Sequence, residues 1–174
     1  REQRFRGLLT IAADAYWEID EQYRLVTFKR QGRAGGSMGE ASAVGQVPWE
    51  VPEFNLDEDS LDLLRAHLEA REPFRDLPVQ WLGVPGQVRH FLVSGEPRQP
   101  SQAAFMGYWG VARDVSADVM ARQALVATES RYLELFTRIP TPLVLHAQSR
   151  VLDANPAALD MFGFTDLQAI VGQD

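Results

Sequence analysis

The chain begins to repeat itself at residue 131, and this repeat sets the size of the unit that has to fold. Arg4-Phe5-Arg6-Gly7-Leu8-Leu9 returns as Arg131-Tyr132-Leu133-Glu134-Leu135-Phe136. Ala43-Val44-Gly45-Gln46 returns as Ala169-Ile170-Val171-Gly172-Gln173. Between them Arg24-Leu25-Val26 returns as Arg150-Val151-Leu152, one residue out of step, as expected for two copies that differ in one loop. The first copy is whole and the second stops about a third of the way through. Such a chain is expected to be a piece of a longer protein that uses one module in series.

With 174 residues there is room for one domain of ordinary size and a remainder. Hydrophobic residues make up 45% and charged residues 24%, so the chain is globular rather than disordered. A net charge of −7, with basic residues scattered rather than striped, argues against nucleic acid as a partner. There is no cysteine, which removes disulfides, thiolate metal sites and thiol nucleophiles together. No apolar run approaches the roughly 18 residues of a membrane span. No membrane contact is expected of these residues, and the cytoplasm is the expected compartment.

Apolar spacing predicts a short amphipathic helix over 2–13, carrying Phe5, Leu8 and Leu9. Two strands follow, Ala15–Asp20 and Tyr23–Gln31, joined at Glu21-Gln22 as a hairpin. Four glycines punctuate residues 32–39, and short helical turns are expected from Glu40 to Glu53. Asp57 or Asp59 is placed to cap a helix over Ser60–Arg71 whose buried seam is Leu61, Leu64 and Leu68. Three strands are then expected, Phe74–Gly83, Val88–Arg98 and Phe105–Ser116, the first pair joined by Val84-Pro85-Gly86-Gln87. Residues 117–139 read as one long helix, free of Gly and Pro until Pro140. The fold class is therefore α+β: five antiparallel strands with short helices covering one face, followed by a long linker helix.

This order, with the residues that mark it, resembles the PAS sensor family. The matching pieces are Tyr16-Trp17-Glu18-Ile19-Asp20, Ala43-Val44-Gly45-Gln46, Glu72-Pro73-Phe74-Arg75 and Pro85-Gly86-Gln87-Val88-Arg89. Ser94-Gly95-Glu96-Pro97 and the run Gly107–Ser116, ending in Asp114-Val115-Ser116, complete the set. In the second copy, Asn155-Pro156-Ala157-Ala158 through Phe162-Gly163-Phe164 is similar to the same family's helix after its second strand. The resemblance implies a complete PAS domain over 1–116, a signalling linker over 117–139 and the opening part of a second PAS domain over 140–174. It further implies a sensory module of a bacterial signalling protein, with a histidine kinase favoured over a cyclic-di-GMP enzyme as the output. Catalysis would then belong to the parent protein and not to these residues.

Period-two alternation places Trp17 and Ile19, Val79 and Trp81, Phe91 and Val93, and Tyr108 and Ala112 on the face that meets the helices. With Leu64 and His67 from the helix, these residues form the expected pocket for a small molecule. The alternative is that the aromatic residues simply fill the core, which leaves a module for dimerisation and protein interaction alone. The resemblance also makes His67 a position to weigh for an axial haem ligand, but nothing else nearby resembles a haem site. The flavin–cysteine adduct of the blue-light branch is excluded, since Val47 and Pro48 follow Gly45-Gln46 and no cysteine exists. Inward strand positions also offer few polar groups to a flavin, so no cofactor is expected.

His90 is expected to face outward and His146 lies in the second copy, so no metal centre is predicted. Ser94-Gly95-Glu96 is not a nucleophile elbow, and no phosphate-cradling loop is present. Arg113, Asp114 and Ser116 sit where the last strand becomes the linker helix, either as a joint that passes a sheet shift onward or as a plain cap. Within that helix Val119, Leu125, Val126, Tyr132 and Phe136 recur at a spacing near seven, which predicts a homodimer through paired linkers.

Overall fold

A computed structural model of the chain describes residues 13–30, 43–99 and 104–173. The glycine-rich stretch 32–39 and all but the last residue of the helix expected over 2–13 lie outside the described residues, as does the first member of the opening repeat. The chain divides into two compact units, Arg1–Val119 and Met120–Asp174.

In the first unit the strands are β1 (Ala15–Ile19), β2 (Leu25–Arg30), β3 (Phe54–Asn55), β4 (Phe74–Val84), β5 (Gln87–Pro97) and β6 (Tyr108–Asp114). They form one antiparallel sheet in the order β2-β1-β6-β5-β4-β3. The sheet has six strands where five were expected. The addition is the two-residue β3, which lies just beyond the segment read as helical turns and pairs Phe54 with Trp81 and Asn55 with Gln80. Pro48 and Pro52 bound only a single 3-10 turn over Pro48–Glu50. That leaves Phe54 free to extend along the sheet edge.

Local chemistry explains the connections. Between β1 and β2 the Asp20 carboxylate accepts the Gln22 and Arg24 N–H groups at 2.9 and 2.8 Å, and Tyr23 takes a left-handed φ of 61°. The turn therefore extends through Arg24, and β2 starts at Leu25 rather than at Tyr23. Between β4 and β5 the link is the two-residue Pro85-Gly86, with Gly86 at φ +77°, as a proline-then-glycine turn requires.

The helix α1 (Glu58–Ala70) starts at Asp57, whose carboxylate accepts the Ser60 N–H at 2.7 Å. That bond, with the Ser60 hydroxyl, holds the Asp57 carboxyl below its usual range. The buried seam is Leu64 and Leu68, with Ser60; Leu61 is only half-buried. Each leucine contributes about 1.5–3 kcal/mol by leaving water. A long helix, α2 (Ser116–Arg138), follows β6, close to the expected span.

The second unit holds a two-stranded hairpin, β7 (Val144–Ala147) with β8 (Arg150–Ala154), and the short helix α3 (Pro156–Phe162). Its centre is Asn155, which is fully buried. The Asn155 side-chain oxygen accepts from Leu143 N–H at 2.9 Å and from Ala158 N–H at 3.0 Å. The amide nitrogen donates to Thr141 O at 2.9 Å and to Ile139 O at 3.3 Å. All four hydrogen-bonding capacities of the amide are used, which is why an asparagine can be buried here. Asn155→Ala is expected to weaken this unit by about 2–3 kcal/mol. Hydrogen exchange checks it, as lost protection of the Leu143 and Ala158 amides.

Candidate functional site

The inner face of the first sheet and α1 line a half-open cavity of about 100 Å³. Sheet residues Trp17, Ile19, Val79 and Val93 line it from one side and Leu64 and Leu68 from the helix. Among the described residues every lining side chain is apolar or an indole, and none is titratable. The cavity sits in the larger of two apolar clusters in the unit.

Small residues on β5 and β6 shape this wall. Trp17 is paired with Gly110 across the strands, and its ring lies where a side chain at Gly110 or Gly95 would go. A Cβ at Gly110 would lie 2.5 Å from Trp17 Cζ2 and 2.0 Å from the Ser94 carbonyl, and one at Gly95 would lie 2.7 Å from Trp17 Cη2. Phe74 stacks on the indole at 6.0 Å between ring centres, 20° from parallel. Trp17 is 7% exposed. Among the described residues its Nε1–H meets no acceptor.

Of the expected pocket residues, Trp17, Ile19, Leu64, Val79 and Val93 line the cavity. The other five do not. Trp81, Phe91 and Ala112 are buried as expected but form a second cluster with Ala15. Alternation names the face of a strand and says nothing of the distance along it, so these residues share the inner face without sharing the cavity. Tyr108 is wholly buried, and its hydroxyl lies 3.1 Å from both the His67 and Glu72 carbonyl oxygens. It fastens the C-terminus of α1, where Arg71 adopts a left-handed cap. His67 is outside the cavity wall, its Nδ1 3.9 Å from the Glu72 carboxylate.

Trp49, Phe54 and Leu56 line the cavity as well, and alternation could not have found them because their segment is neither a full strand nor a helix. The available signal was three large apolar residues in a short stretch punctuated by Pro48 and Pro52.

At the far end of the sheet the joint residues behave differently from one another. Asp114 accepts from Arg89 Nη1 at 3.1 Å and from the Ser116 N–H at 3.0 Å. Ser116 Oγ accepts the His90 N–H at 2.9 Å, and the Val115 N–H donates to His90 O at 2.9 Å. Arg113 is exposed, and among the described residues its side chain makes a 3.7 Å ion pair with Asp76. Asp114 and Ser116 thus tie the start of α2 to β5, and Arg113 does not. Among the described residues no group of side chains is set to hold a metal ion, and no helix is long and apolar enough to cross a membrane.

Burial pushes the Tyr108 phenol up to about 12. An ordinary tyrosine titrates near about 10. The folded chain therefore holds this proton more tightly, so the contribution is complete below about pH 10 and is lost as pH rises towards 12. Tyr108→Phe is expected to cost about 1–2 kcal/mol at neutral pH. Urea titrations at pH 7 and 11 should show the gap between native and variant chains narrowing at the higher pH.

No curated protein matches the chain. Residues 130–174 match the family model described as PAS domain. Among solved structures, a light-oxygen-voltage domain studied with a flavin analogue is 17% identical, with a TM-score of 0.52 over 74% of this chain and 96% of that one. An RNA-binding light-oxygen-voltage receptor is 16% identical, with a TM-score of 0.50 over 77% of this chain and 39% of the receptor. Residues 130–174 thus carry a PAS domain match, and the chain has a PAS-like, light-oxygen-voltage-like α+β fold with an antiparallel sheet and helices.

Proposed function

We propose that the chain is a sensory module of a signalling protein, in which a small molecule held in the apolar cavity biases the linker helix α2. A second PAS domain would begin within residues 130–174, and the output would be a downstream domain, with a histidine kinase favoured. The carrying observation is the continuity from cavity to linker. Val93 lines the cavity on β5, and His90 on the same strand is bonded to Ser116 and Val115 at the start of α2. A ligand that favours one packing of the sheet against α1 therefore acts on a strand that is hydrogen-bonded to the linker.

A flavin, as in one structural neighbour, suits this cavity poorly. The volume is about 100 Å³ and the wall is apolar, whereas a flavin ring presents carbonyl oxygens and a ring N–H along one edge. The chain also has no cysteine for an adduct. Haem has no support from His67, which lies off the wall.

The proposed dimer uses α2. No residue of this helix is buried, and Leu125, Val126, Tyr132 and Leu133 are all well exposed. Tyr132 and Phe136 stack on each other at 5.5 Å. An exposed apolar stripe of this length is better accommodated in a two-helix seam than in water.

Two measurements test these readings. A thermal-shift screen of small uncharged organic molecules is expected to raise the melting temperature by at least about 4 °C for those that fill the cavity. No stabilising molecule would leave dimerisation and protein interaction as the function. Light scattering is expected to show a dimer, and combined Leu125→Asp and Phe136→Asp should weaken it about 100-fold. A monomer unchanged by both substitutions would remove the linker dimer.

A further inference from the structure

The surface of the cavity decides which part of a ligand can enter it. Among the described residues that surface is apolar throughout. Trp17 and Trp49 belong to the wall through their ring carbons, and Trp17 Nε1 is itself buried, so the indoles offer a ligand no hydrogen bond. The strand backbones add no polar atom either. β1 is paired with β2 on one edge and β6 on the other, and β5 with β4 and β6, so their N–H and C=O groups are taken up within the sheet.

A polar group entering this space loses its hydrogen bonds to water and gains none. That loss is comparable with the whole gain from burying a six-carbon ring, and for a charged group it is far larger. A water molecule needs two to four polar partners and finds none on this wall. Size sets a second limit. An apolar cavity of about 150 Å³ accepts benzene, so a space near 100 Å³ takes one small ring or a short stretch of alkyl chain. Because the cavity is half-open, a longer molecule can leave its polar end in solvent.

We infer that the cavity takes a hydrocarbon group and excludes polar atoms from its interior. The ligand is then either a free hydrocarbon of about one ring or the alkyl end of an amphiphile whose head stays outside. This rests on the cavity being a ligand site, as proposed above. Selection is by exclusion: the wall holds no polar contact that could repay desolvation of the ligand.

The probes are benzene and phenol, which share a ring and differ in one hydroxyl, and octanoate, which carries a charged head on an alkyl chain. Each is titrated into the full 174-residue chain labelled at its Ile, Leu and Val methyl groups. Nuclear Overhauser contacts to Ile19, Leu64, Val79 and Val93 show whether the probe is in the cavity. Benzene is expected there, bound about 30-fold more tightly than phenol. Octanoate seated by its terminal methyl, and bound more tightly than benzene, marks an amphiphile as the source; weaker or absent octanoate binding marks a free hydrocarbon.

Phenol bound in the cavity within about ten-fold of benzene overturns the inference and leaves the cavity as a ligand site. Octanoate seated with its carboxylate end against those methyls does the same. No contact from any probe to the four residues overturns the inference and the cavity reading together.

Discussion

The first unit depends on Trp17 lying flat across two strands. Gly110 and Gly95 leave the inner face of β6 and β5 bare at that point, and the indole fills it. A Cβ at Gly110 would collide with the Ser94 carbonyl as well as with the ring, so the strand pairing itself requires the glycine. Because the indole lies down instead of standing up, the space between sheet and α1 is not filled by it. The cavity follows from this placement, together with the medium-sized Val79 and Val93 opposite Leu64 and Leu68. A core of large side chains standing perpendicular to the sheet would have closed it.

Polar fastening is confined to the margins. The Tyr108 and Tyr23 hydroxyls reach the last carbonyls of α1, at 3.1 Å to His67 O and 3.4 Å to Leu68 O. Arg71, in its left-handed cap, lies over the Phe105 ring at 4.7 Å. The C-terminus of the helix is thereby held to the sheet while its middle meets only apolar side chains. A helix fastened at one end and apolar along its seam can shift slightly without breaking hydrogen bonds, since van der Waals contacts change gradually and hydrogen bonds do not.

The sequence carried the secondary structure well because its signals are local. Asp57 as a cap and Pro85-Gly86 as a turn each depend on a few neighbouring residues and are found in place, and alternation holds on β6, where Tyr108 and Ala112 are buried, but not on β1, where all five residues are. The cavity was only half readable. Trp17, Ile19, Leu64, Val79 and Val93 line it, but Trp81, Phe91 and Ala112 lie in the other cluster and Tyr108 was spent on the helix terminus. Those outcomes turn on strand register and on where α1 crosses the sheet, and neither is written in residue spacing. Trp49, Phe54 and Leu56 escaped for a related reason. A short irregular segment has no period, so only its tertiary contacts show which way its side chains face.

The joint to α2 shows the same division between local and tertiary signals. Arg113, Asp114 and Ser116 are neighbours of similar polarity, and nothing in their order separates them. Register does. Phe91 pairs with Asp114 across β5 and β6, so Arg89, two residues along on the same face, reaches Asp114 diagonally, and His90 comes within reach of Ser116. Arg113 falls on the exposed side and pairs loosely with Asp76. On the proposed reading this matters for transmission, because a ligand shifts an equilibrium only by its difference in affinity for the two states. A small cavity makes that difference modest, so little can be lost between wall and linker. On that reading the side chains of Asp114 and Ser116 and the Val115 N–H, all bonded to β5, couple the strand to the start of α2, and the Arg113 side chain, paired with Asp76, does not.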